Sequence, residues 1–201
     1  IIANYRNLHN IDTDFVGGYT TYAGAHRERN NGETSAQQIG AAYKESITEP
    51  GPWIVYAYIQ GETIPKEKNH VRLSDTEKDP WGIPQLITSI EFDDNDDKLL
   101  NDFFVQTEEM FSKAGVKNIQ RTDNHHAPGL DIHEMGGCRM GKDPKTSMLN
   151  KWNQLHLCKN VFVTDGACMT TVGNQNPSLT FMAITARAAN YAVDELKKGD
   201  L

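Results

Sequence analysis

Residues 160–196 set the tightest limits on the fold. Asn160-Val161-Phe162-Val163-Thr164-Asp165 is a short apolar run of strand length that stops at Gly166. After Asn174-Gln175-Asn176-Pro177-Ser178-Leu179-Thr180, a helical pattern runs without glycine or proline as far as Lys198. Pro177 suits the first helical turn, and Asn176 is the expected N-cap. Leu179, Met182, Ala183, Ala186, Ala189 and Val193 form the expected inner stripe, with Arg187, Asp194 and Lys197 outside it. The three alanines permit close approach to a sheet or a cofactor. A buried strand followed by a helix start of this kind belongs to a sheet-containing domain with helices packed against it.

Upstream, the pattern is of shorter elements. Residues 1–50 are rich in Gly, Asn, Thr and Tyr, which predicts short strands and loops, with one short helix over Gln37–Ser46. Pro52–Gln60 reads as an apolar, aromatic strand, Asn69–Ser74 as a half-buried one and Ile83–Phe92 as a third with Pro84 near its start. Asp94-Asn95-Asp96-Asp97 then places carboxylates at the positive end of a helix dipole. Leu99, Leu100, Phe103, Phe104, Thr107, Met110 and Phe111 give that helix one broad buried face, and Gly115 ends it. The acidic run lacks the alternating ligand pattern of a calcium loop.

At 201 residues the chain can bury a sizeable core. A net charge of −7 speaks against a phosphate-backbone partner, and no apolar run approaches bilayer-spanning length. Cys138, Cys158 and Cys168 are odd in number and without CxxC spacing, so buried or half-buried free thiols are expected. The start, Ile1-Ile2-Ala3, is neither an initiator Met nor a signal peptide, which leads to the expectation of a processed or truncated chain and leaves the compartment open.

Two segments carry chemistry. His133-Glu134-Met135-Gly136-Gly137-Cys138-Arg139-Met140-Gly141 holds one imidazole on a Gly-rich stretch, and an imidazole is a natural acceptor of a hydroxyl proton. Asn176, 43 residues later, can donate to the same oxygen without competing for the proton. The unpaired N–H groups of a helix starting at Asn176–Thr180 favour negative charge, whether phosphate, carboxylate or a reduced flavin edge. Asp165, at a strand end before Gly166, sits where ribose or ribityl hydroxyls are often held. Taken alone, a lone His is as readily structural as functional.

Together, the segments His133–Gly141, Asp143–Asn150, Asn160–Ala167 and Asn176–Ala189 resemble the C-terminal part of the glucose–methanol–choline (GMC) oxidoreductases. Their wording is most similar to the gluconate 2-dehydrogenase large-subunit-like branch. Residues 50–115, with Gly61-Glu62, Asn69–Ser74 and Trp81-Gly82-Ile83-Pro84, look like that family's substrate domain, whereas residues 1–50 match only loosely. The resemblance implies an FAD-dependent enzyme that oxidises CH–OH groups of a sugar, sugar acid or polyol, passing hydride to flavin N5. It implies His133 as catalytic base or hydrogen-bonding partner with Asn176 as companion, Asp165, Gly166 and Ala167 lining the FAD, and Asn176, Pro177 and Thr180 approaching the isoalloxazine. One departure is large: no Gly-x-Gly-x-x-Gly turn for the FAD pyrophosphate is present, because Gly17-Gly18 and Gly136-Gly137 are not so spaced.

The expectation is therefore an α+β fold, a mostly antiparallel sheet with helices on one face. Residues 1–150 form a substrate-binding or cap-type domain with the His loop, and 151–201 complete an FAD-binding domain whose N-terminal part is absent. Expected partners are a small alcohol or sugar, that N-terminal FAD-binding part and an electron-accepting subunit, with no nucleic acid. FAD is not expected to stay on this piece alone, and no metal is expected. Two other readings are a carbohydrate-binding or scaffold module without catalysis and a metallohydrolase using His125, His126 and His133. His125 and His126 are adjacent and poorly placed to chelate one ion together. Trp53, Trp81, Tyr56 and Tyr58 read as core or sheet-face residues, His156 and Cys158 as packing residues, and Arg139 as a loop closure or ion-pair partner.

Overall fold

Phe15, Tyr19, Leu99 and Phe103 form the buried cluster that organises the N-terminal half, with Ala57, Ile59, Leu100 and Phe104 packed against it. The computed structural model describes residues 1–3, 5–29, 40–48, 50–124, 126–129 and 132–201. The elements are β1 (Tyr19–Arg29), α1 (Ala41–Ser46), β2 (Pro50–Gly61), β3 (His70–Lys78), β4 (Pro84–Ser89), α2 (Asp94–Lys113), a single 3-10 turn (Gly166–Cys168) and α3 (Ser178–Lys198). Residues 37–39 of the first expected helix, and His125, lie outside the described residues.

The expected α+β class holds, but among the described residues the antiparallel sheet is divided into two ribbons, β1–β2 and β3–β4. β1 runs for 11 residues where short strands were expected. The reason is local: Gly24, opposite Tyr56, leaves room for the Tyr56 ring, whose hydroxyl oxygen lies 2.5 Å from where a Cβ would stand. The bare backbone of an in-strand glycine is thereby covered. Alternation puts Tyr19, Thr21 and Ala23 with Ile59 and Ala57 on one face, toward α2. Thr20, Tyr22, Gly24 and His26 stand with Gln60, Tyr58, Tyr56 and Ile54 on the other. Tyr22 and Tyr58 stack there, ring centroids 5.2 Å apart. Tyr56 and Tyr58 are thus sheet-face residues, both exposed, and Trp53 and Trp81 are also exposed rather than core.

α2 forms as its sequence predicts, one residue earlier at its cap. Asp93 accepts from the backbone of Asn95, Asp96 reaches back to the Asp93 N–H, and Gly115 follows the helix with φ 82°. α2 is also tied to the start of the chain. Asp102 accepts from Arg6 Nε (2.8 Å) and Nη2 (2.9 Å) and from the Tyr19 hydroxyl (2.7 Å). Burial alone would raise the Asp102 carboxyl, but these bonds outweigh it and hold it below the usual carboxylate range. A depressed folded value means this stability is present above about pH 4, the unfolded carboxylate value, and is lost as pH falls through the folded value. Asp102→Asn should therefore cost about 1.5–3 kcal/mol at pH 6 and nothing at the acid extreme. Thermal midpoints of the two proteins across the acid range check this, and equal midpoints at pH 6 would refute it.

Two expectations about the C-terminal part are corrected. Asn160–Asp165 is not a strand: only an isolated bridge joins Phe162 to Gln154, with Leu155 N–H donating to Val161 and Val163 N–H to Asn153. An apolar run becomes a parallel-type strand only between neighbouring strands, and none flanks it among the described residues. The second concerns α3. Leu179 is 78% exposed, Met182 69% and Val193 48%, and Ala183, Ala186 and Ala189 are exposed too. The covered side is instead Phe181, Ile184, Ala188 and Tyr191, with Tyr191 stacked on Trp152 (centroids 4.8 Å) and edge-on to Phe162. Arg187 is not a free outer residue either, since its Nη2 donates to the buried Asn153 Oδ1 (2.9 Å). α3 is thus apolar on two sides, the signature of a helix meant to be buried all round.

The chain exposes 14519 Å2 for a mass of 22.5 kDa, where a compact monomer of that size exposes about 9,500 Å2. Among the described residues no helix is long and apolar enough to cross a membrane.

Candidate functional site

The His133 segment is laid along the turn that begins at Asp165. Cys138 N–H donates to Ala167 (2.9 Å) and Met140 N–H to Cys168 (2.9 Å). Gly166 lies directly beneath this pairing: a Cβ there would stand 2.7 Å from the Glu134 carbonyl oxygen, 3.0 Å from Met135 Sδ and 3.3 Å from Phe181. So His133's own segment, the Asp165-Gly166-Ala167 turn and the first turn of α3 meet at one point. Asp165 caps its own turn, its carboxylate accepting from Ala167 N–H at 3.1 Å. Arg139 closes the loop behind by donating to the Thr146 carbonyl.

His133 itself is a non-glycine residue with φ 72°, a conformation that persists only when its surroundings over-determine it. Its Nδ1 lies 3.2 Å from Gln60 Nε2, on β2. Gln60 stands directly opposite Thr20, so the two share a ribbon face with Cβ atoms about 5 Å apart. Thr20, fully buried, accepts from Gln175 Nε2 at 2.9 Å. One rung of the β1–β2 ribbon thus carries His133 at one end and the residue before Asn176 at the other. A cleft of about 310 Å3 opens at this end of the ribbon, lined by Asn7, Gly17, Glu62, Asn174 and Gln175 among others. The larger cleft, about 390 Å3, lies by Tyr19, Thr21 and Met110 on the other face and holds none of the expected site residues.

Asn176 is exposed, and it is not the N-cap of α3. That position falls to Pro177, which is buried and offers no side-chain acceptor, because the helix begins one residue later than expected. The first N–H groups of α3, near Thr180, are therefore without a side-chain cap. Gln60, Thr20 and Gln175 were missed by sequence reasoning. The available signal was the strand alternation Ile54, Tyr56, Tyr58, Gln60, which ends an aromatic face on one amide.

The cysteines are free: Cys168 buried, Cys138 half-buried and Cys158 exposed, a departure for the last of these, whose Sγ contacts Asn160. Burial raises the Cys138 and Cys168 thiols, and Asp165 adds to this at Cys138. His156 packs as expected, with Nε2 3.1 Å from Ser147 Oγ. Among the described residues no group of three or more His, Cys, Asp or Glu could hold a metal ion.

Residues 65–185 match the C-terminal model of the GMC oxidoreductases, more than half of the chain. The chain belongs to that family. GMC oxidoreductases are flavoproteins. The chain is 32% identical over 175 residues to a 2-methyl-1,2-propanediol dehydrogenase of Mycolicibacterium austroafricanum, covering 78% of this chain and 31% of the relative. It is 34% identical over 132 residues to a paromamine 6'-oxidase of Streptomyces fradiae (66% and 24%). It is 29% identical over 167 residues to the fructose dehydrogenase large subunit of Gluconobacter japonicus (80% and 29%). A gluconate 2-dehydrogenase flavoprotein is among the further matches, in keeping with the branch that the motifs resemble. This GMC chain spans less than a third of the length of these relatives.

Proposed function

We propose that this chain is the substrate-side and C-terminal portion of an FAD-dependent oxidoreductase acting on the CH–OH group of a sugar, sugar acid or polyol. Residues 1–150 are the substrate or cap side with the His loop. Residues 151–201 complete the FAD-binding half, and the remainder of that half comes from elsewhere in a longer protein. The two parts are joined across that boundary by the Asn150–Gln154 turn and the Leu149–Leu155 bridge. The single observation that carries the reading is the rung Gln60–Thr20, which ties His133 and the Asn176 loop to one ribbon end.

The residues fit one edge of a flavin and not the whole cofactor. The first N–H groups of α3 have no side-chain cap, which suits developing negative charge. Asp165, Gly166, Ala167, Asn176, Pro177 and Thr180 would hold that edge. Pyrophosphate binding is not provided for by any glycine turn in this sequence. The bound cofactor supplies the hydride acceptor. His133 takes the hydroxyl proton, and Asn176 donates to the same oxygen, holding the alcohol carbon in place. The exposed stripe Leu179, Met182 and Val193 on α3 is the surface against which the rest of the FAD-binding half packs. A relative named as a large subunit supports a separate electron-accepting subunit. The relatives' names, a 2-methyl-1,2-propanediol dehydrogenase, a paromamine 6'-oxidase and a fructose dehydrogenase large subunit among them, support a substrate bearing alcohol groups.

The test is spectroscopic. The 201-residue chain purified alone should retain no flavin absorbance, and the full-length protein should carry FAD that sugars or polyols bleach anaerobically. A full-length protein without flavin would end this reading.

A further inference from the structure

The bond between Gln60 and His133 carries more than packing. It spans 73 residues of sequence, and Gln60 is the ring's partner among the described residues. The other end of the same amide, Oε1, is buried and has no hydrogen-bond partner among the described residues. The amide is therefore anchored at one end only, and turning it by 180° breaks no second bond. Amide oxygen and nitrogen are distinguished by their hydrogen bonds, so the orientation of Gln60 and the tautomer of His133 are one variable. With Nε2 of the amide facing the ring, Nδ1 accepts and the ring proton sits on Nε2. With Oε1 facing the ring, Nδ1–H donates and Nε2, the atom remote from Gln60, keeps its lone pair.

We propose that Gln60 is the positioning residue of His133: its amide oxygen accepts the Nδ1–H and so holds the tautomer whose Nε2 lone pair receives the hydroxyl proton. This rests on the function proposed above, because only a base needs that tautomer. The left-handed backbone at His133 presents the ring to β2, and the hydrogen-bonded pairing of residues 138–140 with 167–168 holds the segment there. After proton transfer Oε1 keeps the Nδ1–H bond, so the amide needs no rearrangement when the ring becomes charged. The titratable groups on the packed elements are Glu134 on the ring's own segment, Cys138 and Asp165 at the paired turn and Glu62 beyond Gln60 on the β2 side. Asp165 is engaged with Ala167, and the ring bonds to none of the four among the described residues. A glutamine here supplies an acceptor without a charge, so it orients the imidazole without fixing a proton on it.

The experiment uses the full-length, flavin-loaded protein labelled with 15N-histidine, with the His133 ring signals assigned by their loss in His133→Gln. In the resting protein at a pH where the ring is neutral, Nδ1 should be protonated and Nε2 bare. Gln60→Leu should return the ring to the Nε2-protonated form and slow anaerobic flavin reduction at least tenfold. Gln60→Glu, nearly the same shape, should move the acidic limb of the rate–pH profile upward by a unit or more, because a carboxylate favours the imidazolium. Above that shifted limb its rate should recover toward wild type, which a merely structural residue would not produce. The same tautomer in wild type and Gln60→Leu, or an unmoved limb in Gln60→Glu, would overturn the proposal. The tautomer is read without turnover, so failure of the base assignment, seen as undiminished flavin reduction in His133→Gln, and failure of the flavoenzyme reading, seen as a full-length protein without flavin, remain separate results.

Discussion

Replacing His133 with alanine in the flavin-loaded full-length protein should slow substrate reduction of the flavin by roughly 10²- to 10⁴-fold, the usual worth of a positioned general base. The flavin itself should remain bound, because the imidazole's hydrogen bond among the described residues goes to Gln60 on the ribbon. One complication is built into the position. At φ 72° alanine is strained as well as non-basic, so part of any loss is conformational. His133→Asn separates the two effects, since asparagine adopts that conformation readily but cannot serve as a base at neutral pH. Equal losses in both variants assign the effect to the missing imidazole, whereas recovery in the asparagine variant would assign it to the backbone. Asn176→Ala removes one donor from the same oxygen and should cost roughly 10²-fold in the same stopped-flow measurement. Unchanged reduction rates in both His133→Ala and Asn176→Ala would remove the catalytic assignment altogether.

A large stability effect of a single methyl group is expected at Gly166. A Cβ there meets the Glu134 carbonyl oxygen at 2.7 Å, and that neighbour is backbone, held by the hydrogen bonds that follow it at Cys138 and Met140. Neither side can yield by a rotamer change. Gly166→Ala should therefore cost about 1–3 kcal/mol, as overpacking does in a well-filled interior, and lower the melting temperature by roughly 2–4 °C per kcal/mol. It should also lift the His133 segment off the turn, so that KM rises and flavin reduction slows together. The control lies three residues beyond Glu134. A Cβ on Gly137 would meet only Ala167 Cβ at 3.9 Å and Val71 Cγ2 at 4.0 Å, ordinary contact distances, and its backbone is not left-handed. Gly137→Ala should stay within about 0.5 kcal/mol of wild type. Calorimetry on the pair decides the matter: similar melting temperatures for the two variants would mean that the turn is not packed as described.

Where the sequence was read correctly, the cause was local. The Asp93–Asp97 run specifies a helix start because carboxylates satisfy backbone N–H groups within reach of themselves, and Gly115 ends the helix on its own backbone freedom. β2 was legible because its aromatic and β-branched residues favour extended backbone. Asn160–Asp165 failed as a strand for the opposite reason, since a strand exists only with neighbours to pair with. α3 was legible as a helix but not in its orientation. Its residues offer two apolar sides, Leu179–Met182–Val193 and Phe181–Ile184–Ala188–Tyr191, and periodicity cannot say which one this chain covers.

The same division runs through the site. The chain's own composition determined the membership of its motifs: an imidazole on a Gly-rich segment, an aspartate before a glycine, an amide and a proline at a helix start. Those choices depend on residue type and spacing of a few positions. Which of them meet was decided only by the tertiary structure, through the register that sets Gln60 against Thr20 and the backbone bonds that lay residues 138–140 on 167–168. Strand register and long-range backbone pairing are cooperative properties of segments far apart in the chain. No single segment encodes them, and so the partner of His133 could not be read from the residues around it.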